Sequence, residues 1–164
     1  MLRNIDGRAI WSATLAWSRA PRILEMKRRD AEVVLARNNI GRCAFLGDGR
    51  VELVPVHYVF QNGVIIGRTA LGSKYATWLT RSAIVFEVDE SSGLFDWSSV
   101  IVRGNLTLLH PRGSEAERLA FEDGVRAFRA LVPDAFTERD PTPQRSIVFA
   151  VAPQEITGRQ STSR

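Results

Sequence analysis

Two short turn signals, each set between β-branched and aromatic runs, constrain the fold of this chain more than any other feature. Gly47-Asp48-Gly49 separates residues 43–46 from residues 51–60, and Asn62-Gly63 separates that second run from residues 64–69. These turn residues tolerate the positive φ angles that tight hairpins need. The three runs are therefore predicted to be consecutive antiparallel strands.

The rest of the chain alternates strand and helix patterns. Further strands are predicted over 83–88, 100–108 and 145–151, helices over 29–38, 73–81 and from a capping box at Ser114 to Pro133, and loops over 89–96 and 134–145. Gly104 marks a bend or a close approach of backbone. Six strands with apolar residues on both faces favour closure, which removes exposed edges. The predicted fold is mainly β, a small antiparallel barrel with short peripheral helices.

The chain of 164 residues has the length of one ordinary domain. We expect an N-terminal extension over 1–25, a domain over 26–159 and a flexible tail over 160–164. Residues 11–17 could form a short docking helix, or Met26 could be the natural start. One cysteine and no apolar stretch of about 20 residues favour a cytoplasmic protein without a membrane span.

The charge balance is basic, with 22 Lys and Arg against 18 Asp and Glu. Nucleic-acid binding by an arginine-rich face is one interpretation of this excess. No run of five or more like charges occurs, so a solvated arginine-rich surface is favoured, and no nucleic-acid partner is expected.

Several common kinds of active site are missing from the sequence. His57, His110 and Cys43 are the only imidazole and thiol groups, too few for a structural zinc site, and no metal is expected. Cys43 lies in an apolar run, where a thiol is typically inert. There is no Gly-x-Ser-x-Gly elbow, no Walker loop and no Gly-x-Gly-x-x-Gly motif. The sequence therefore contains no motif that would support a hydrolase or a dinucleotide-binding fold.

The junction between the third strand and the second helix gathers groups that bind phosphate. Arg68-Thr69 ends the strand, residues 70–72 form a loop, and Ser73-Lys74 opens the helix. A guanidinium, two hydroxyls, an ammonium and the free N–H groups of a helix N-terminus would meet there, which suits a phosphate monoester. The alternative is that Ser73 only caps the helix while Arg68 and Lys74 face solvent.

Pro55 lies inside a strand pattern, where its missing N–H would break a ladder, so an edge or a bulge is predicted there. Backbone groups freed beside a proline can bind the rim of a planar heterocycle. His57-Tyr58 follows, and Trp97-Ser98-Ser99 opens another strand with an aromatic ring and two hydroxyls. These residues can equally serve packing.

Taken in order, five segments resemble the pyridoxamine 5'-phosphate oxidase-like flavin-binding split-barrel proteins, and most of all the branch that contains the nitroimidazole-resistance reductases. The segments are residues 41–46 (GRCAFL), 54–58 (VPVHY), 69–74 (TALGSK), 86–89 (FEVD) and 97–104 (WSSVIVRG). The resemblance covers about residues 28–159. No single motif is diagnostic, but the ordered set is specific.

The resemblance implies a homodimer of six-stranded split barrels with FMN in a groove that both chains share. The residues implied to hold the ribityl phosphate are Arg68, Thr69, Ser73 and Lys74. Those implied to lie along or near the flavin are Val54, Pro55, Val56 and Tyr58 on one strand and Trp97, Ser98 and Ser99 on another. His57 is the candidate catalytic residue, because an imidazole near the ring can donate a proton near neutral pH.

The function expected from this resemblance is an FMN-dependent oxidoreductase that reduces a small planar electron-poor substrate, a nitroaromatic or a quinone, with NAD(P)H as a candidate electron donor. The alternative is a noncatalytic carrier or sensor of flavin, deazaflavin or haem on the same barrel. Pyridoxamine 5'-phosphate oxidases grip their substrate with a C-terminal arginine and histidine. No histidine follows Val151 here, so vitamin B6 oxidation is unsupported.

Overall fold

A computed structural model describes residues 21–80 and 82–162, and of Ser73 and Lys74 only the backbone. The strands are β1 (Arg22–Glu25), β2 (Ile40–Gly47), β3 (Arg50–Gln61), β4 (Val64–Thr69), β5 (Ala83–Gly93), β6 (Asp96–Leu109) and β7 (Ile147–Thr162). The helices are α1 (Arg28–Arg37), α2 (Ser73–Thr80) and α3 (Glu115–Leu131). The hypothetical helix over residues 11–17 lies outside the described residues.

All strand pairs are antiparallel, and six of the strands close into a barrel. The sheet order is β1-β7-β4-β3-β2-β5-β6, and pairing of β6 with β7 closes the ring. The seventh strand, β1, adds to the far end of β7, where Arg22 pairs with Thr162 and Glu25 with Arg159. The predicted split barrel with peripheral helices is confirmed, with seven strands in place of six.

Both predicted hairpin turns are present. Asp48 and Asn62 have φ angles of 49° and 53°, and the glycine that follows each also has a positive φ. These left-handed conformations favour Asn, Asp and Gly, so the sequence of the turns specifies the register of β2, β3 and β4.

β7 is much longer than the predicted strand over 145–151. It passes Pro153 at an irregularity where Gly104 of β6 lies opposite, and a Cβ on Gly104 would come within 2.3 Å of the Ala152 carbonyl oxygen. The predicted close backbone approach at Gly104 is therefore confirmed. Residues 160–162 are not a flexible tail, because all three pair with β1, and residues 160 and 161 also pair with β6.

The predicted loop over 89–96 is also wrong for most of its length. β5 runs to Gly93 and β6 begins at Asp96, so this polar segment is a β-hairpin that extends beyond the barrel. Most of its exposed residues are acidic or small, but Leu94 and Phe95 are exposed at the turn. Glu90 is held by Arg37 and Asn38 of the α1 region, which lowers its pKa. Polar alternation on an extension of this kind gives little strand signal.

Two apolar clusters hold the fold. The first fills the barrel and includes side chains from α1 and, from α2, Trp78, whose ring packs edge-on against Phe45 and Phe149. Phe149 also covers Gly67, where a Cβ would lie 2.0 Å from the ring. The second cluster lies between α3 and the outer side of β3, β4 and β7, around Phe128 and Val148.

An uncovered apolar face lies on the outer side of β2, β5 and the first half of β3. Its exposed apolar side chains are Leu46, Val51, Leu53 and Val85. Contiguous exposed apolar surface on a sheet face is typical of an interaction site. Among the described residues, none of the helices has the length and apolar character needed to cross a bilayer.

Candidate functional site

The turn from β4 into α2 presents the features expected of an anion site. Thr69 ends β4, and α2 begins at Ser73 after an exposed loop at Leu71. The first turn of α2 carries no acidic residue, so the partial positive charge at this helix end is not neutralised locally. The Thr69 hydroxyl is buried, and its bond to the Ala70 carbonyl is a long 3.5 Å. Thr69 and the start of α2 thus fit a phosphate group.

Arg68 does not belong to this anion site. Its guanidinium lies in a fork against the Asp140 carboxylate, with Nη1 at 2.7 Å from Oδ2 and Nη2 at 3.0 Å from Oδ1, and it also donates to Thr142. The two side chains are only 4% and 3% exposed. Because successive strand residues face opposite sides of a sheet, Arg68 points away from the side that Thr69 faces. Its predicted role as a phosphate ligand is wrong.

The buried ion pair is surrounded by hydrogen-bond partners and aromatic rings. Asp140 accepts the backbone N–H groups of Phe136, at 2.6 Å, and Thr142, at 2.8 Å. The Arg68 guanidinium lies 5.7 Å from the centre of the Phe128 ring and 5.1 Å from that of Phe136. The bond with Arg68 holds the pKa of Asp140 well below that of a free carboxyl. The loop over 134–145 is therefore clamped to β4 immediately before Thr69.

The strand β3 has the open edge that Pro55 predicts. β3 pairs with β2 from Arg50 to His57 but with β4 only from His57 onward. The Tyr58 N–H donates to the Asn39 carbonyl on the β2 side. By the alternation of an antiparallel ladder, Pro55 therefore faces the open side, and the missing N–H breaks no bond.

The same alternation identifies the backbone groups at this edge. They include the Leu53 N–H and the Leu53 and Pro55 carbonyls, whereas Val54 and Val56 direct their backbone groups to β2 and their side chains toward the core. The predicted edge is confirmed, but Leu53 and Pro55 supply its free groups in place of Val54 and Val56. The sequence alone does not show whether the odd-numbered or the even-numbered residues direct their backbone groups to the open edge, because both faces of β3 carry apolar residues.

Tyr58 is a core residue and does not face a cofactor groove. Its ring is fully buried at 4.8 Å from that of Phe86, and its hydroxyl donates to the Leu35 carbonyl at 2.8 Å. Burial raises the pKa of this phenol. The prediction of Tyr58 as a cofactor-binding residue is therefore wrong.

His57 projects from the outer face of β3, directly opposite Arg68 on β4. It lines a cavity of about 320 Å³ that also touches Arg68 and the last turn of α3. Burial lowers the pKa of His57, and the positive charges of Arg145 and Arg68 lower it further. The imidazole is consequently neutral at pH 7, with one nitrogen that donates and one that accepts.

We expect a proton NMR titration to place the pKa of His57 below the usual value of about 6.5 for histidine. Replacing Arg145 with glutamine should raise it, because one of the two repelling charges is removed. The chain has only one other histidine, His110, so the two ring signals can be assigned with a single variant. An unchanged pKa in Arg145→Gln would contradict this electrostatic account.

Trp97, Ser98 and Ser99 open β6 on the extension beyond the barrel. Trp97 and Ser99 line a cavity of about 670 Å³ together with Glu25, Arg103 and Arg159. The Ser99 hydroxyl donates to Glu87 at 3.2 Å. An aromatic ring, a hydroxyl and arginine side chains here form a second candidate binding surface. Of this surface, the sequence predicts only the Trp97-Ser98-Ser99 segment.

The two candidate surfaces of one chain lie at opposite ends of β7. Thr69 pairs with Ile147 at the start of this strand, whereas Ser99 pairs with Arg159 near its end. At about 3.3 Å per residue, the contour of the strand from Ile147 to Arg159 is roughly 40 Å.

Three comparisons with known proteins bear on this fold and site. The family model described as pyridoxamine 5'-phosphate oxidase matches residues 27–160. No curated protein matches the chain significantly.

Many solved structures share the fold. An FAD-binding protein from Mesorhizobium loti is 20% identical, with a TM-score of 0.68 over 86% of this chain and 99% of its own. The FAD binding protein from Mycobacterium smegmatis is 23% identical, with a TM-score of 0.62 over 84% and 99%. A protein from Bacteroides thetaiotaomicron, named for 5-nitroimidazole antibiotic resistance, is 15% identical, with a TM-score of 0.63 over 86% and 89%. At such identities the structures establish a common fold, while the family model matches most of the sequence, and the chain therefore belongs to the pyridoxamine 5'-phosphate oxidase family.

Proposed function

We propose that this protein binds a flavin and acts as an oxidoreductase on a small planar electron-poor substrate of nitroaromatic or quinone type. The observation that carries the proposal is that two features without a partner both follow from the end of β4, which stops pairing with β3 at His57 and leads into α2. One is the N-terminus of α2 with no acidic residue in its first turn, and the other is the open backbone edge of β3 at Leu53 and Pro55. Two proteins with the same fold are named as FAD-binding, which supports a flavin as the ligand of this site.

In this proposal the chain holds FMN through its phosphate and the rim of its ring. The phosphate lies against the Thr69 hydroxyl, the N–H groups at the start of α2, and Ser73 and Lys74. The Leu53 N–H donates to a ring oxygen or nitrogen, and the Pro55 carbonyl accepts from a ring N–H. The bound flavin supplies the electron transfer, and the protein supplies binding, orientation and exclusion of water.

The proposal includes a homodimer in which each flavin contacts both chains. The two candidate surfaces lie at opposite ends of β7 on one chain. In the proposed dimer, Trp97, Ser98 and Ser99 therefore reach the flavin that the partner's β4–α2 turn holds. The uncovered apolar face of β2, β3 and β5 offers a surface for the second copy. NAD(P)H is the proposed electron donor, and the cytoplasm is the proposed location, because the single cysteine, Cys43, suits a reducing compartment.

The absorption spectrum of freshly purified protein, followed by titration with FMN and with FAD, tests this proposal. We expect a flavin spectrum, or saturable binding of added flavin with quenching of its fluorescence. Binding without turnover of NAD(P)H and a panel of nitroaromatic and quinone acceptors would favour a noncatalytic carrier or sensor. Colourless protein that binds neither flavin would overturn the proposal.

A further inference from the structure

The cavity beside His57 lies on the outer side of the barrel, next to the edge where we place the flavin. Its walls are Ile40 from β2, Phe128 and Leu131 from α3, and His57 from β3. Arg68 lies at its base, and Asn39 contributes an amide that donates to the Tyr58 carbonyl. About 320 Å³ is enough for a molecule of one or two rings.

The polar groups of this cavity favour a neutral ligand that carries acceptor oxygens. Arg68 is held in its ion pair with Asp140 and also bonds Thr142, so it offers the cavity neither a net charge nor a free fork for a carboxylate. His57 is neutral at pH 7 because burial, Arg145 and Arg68 oppose its protonation, and it therefore offers an N–H to an acceptor.

We propose that this cavity is the binding site for the electron-accepting substrate, and that it selects neutral aromatic molecules with nitro or quinone oxygens. The aromatic ring packs between Ile40, Phe128 and Leu131, and one oxygen accepts from the His57 imidazole. His57 and Pro55 share one face of β3, two residues apart, so a ligand held by His57 lies beside the proposed ring edge.

The assignment of the ligand as electron acceptor rests on the proposed function, but binding in the cavity can be measured without flavin. The probe is nitrobenzene, with isopropylbenzene as an apolar analogue of similar size that lacks acceptor oxygens. The readout is the NMR signal of the His57 ring in flavin-free protein at pH 7. We expect saturable shifts of His57 with nitrobenzene, no matching shifts of His110, and at least tenfold weaker binding of isopropylbenzene.

Two variants on α3 locate the binding site. Leu131→Trp fills the cavity from its wall, whereas Leu119→Trp places the same ring on a residue of equal exposure, 49% against 48%, that does not line the cavity. We expect Leu131→Trp to weaken nitrobenzene binding by more than tenfold and Leu119→Trp to leave it unchanged.

Equal binding to both variants, or equal shifts of both histidines, would overturn the inference. A separate FMN titration of the same samples distinguishes the two proposals. If no sample binds flavin but nitrobenzene still shifts the His57 signal, the proposed function is contradicted and the cavity remains a binding site. If the samples bind flavin but nitrobenzene does not shift the His57 signal, the cavity alone is contradicted.

Discussion

Replacing Asp140 with alanine is expected to lower the free energy of unfolding by about 3–5 kcal/mol, because it leaves the Arg68 guanidinium buried without a counter-charge. The substitution also removes the acceptor for the Phe136 and Thr142 N–H groups, so the loop over 134–145 loses its attachment to β4. For a chain of this length the melting temperature should fall by roughly 6–20 °C. Differential scanning calorimetry or urea unfolding measures the change.

The control for this substitution is Asp123→Ala, which breaks the exposed ion pair with Arg126 at 2.8 Å. Exposed pairs of this kind contribute about 0–1 kcal/mol, so little change is expected. A second test replaces both partners, as Arg68→Met with Asp140→Leu, and should recover much of the stability, because no unpaired charge remains. Similar losses for Asp140→Ala and Asp123→Ala would contradict the structure.

The effect of Asp140→Ala should depend on pH in a defined direction. The ion pair lowers the pKa of Asp140 in the folded state relative to about 3.9 in the unfolded chain. The carboxylate therefore stabilises the fold fully above that unfolded value, and this contribution is lost as the pH falls toward the folded pKa. The difference between variant and wild type should shrink on acidification below about pH 4.

The double substitution Ser73→Ala with Lys74→Ala is expected to weaken FMN binding by about 3 kcal/mol, or roughly 150-fold in Kd. It removes a hydroxyl and an ammonium from the proposed phosphate site while leaving the backbone of α2 in place. Isothermal titration calorimetry or flavin fluorescence measures Kd. Lys27 is the only other lysine and lies at the start of α1, so Lys27→Ala is the charge-matched control.

Mixing this double variant with Trp97→Ala tests whether the flavin site is shared between two chains. Each variant alone binds FMN weakly in the proposed homodimer. A mixed dimer regains one intact site, formed by the β4–α2 turn of the Trp97→Ala chain and the Trp97 of the other chain. Restored tight binding after unfolding and refolding the two together is the expected result. Unchanged FMN affinity in the double variant would rule out the phosphate site, and no recovery on mixing would contradict the shared site.

The parts of the fold that follow from local chemistry could be predicted from the sequence. The turns at Asp48-Gly49 and Asn62-Gly63 determine the register of three strands, and the capping box at Ser114 starts α3 as expected. β1 could not be found, since its four residues become a strand only by pairing with the end of β7. The sequence also does not predict the second half of β7, because Pro153 resembles a strand terminator. In the structure Pro153 lies at a bulge opposite Gly104, and the strand continues past it.

The candidate site was predictable to a similar degree. A proline in a strand pattern requires an unpaired side, and the residues at 69–74 specify a strand-to-helix turn, so both features were accessible from sequence. The role of Arg68 was not, because its partner Asp140 is 72 residues away in an irregular segment. Tyr58 was misassigned because the apolar pattern of β3 does not show which side faces the barrel interior.

The long course of β7 has a practical consequence for anyone who trims or fuses this chain. Its last four paired residues, Arg159 to Thr162, hold β1 on one side and the Trp97 end of β6 on the other. Deleting them would leave β1 without a pairing partner and would remove part of the candidate binding surface at Trp97 and Ser99. An affinity handle or fluorescent partner is therefore best attached through a spacer beyond Thr162, so that the sheet is left whole.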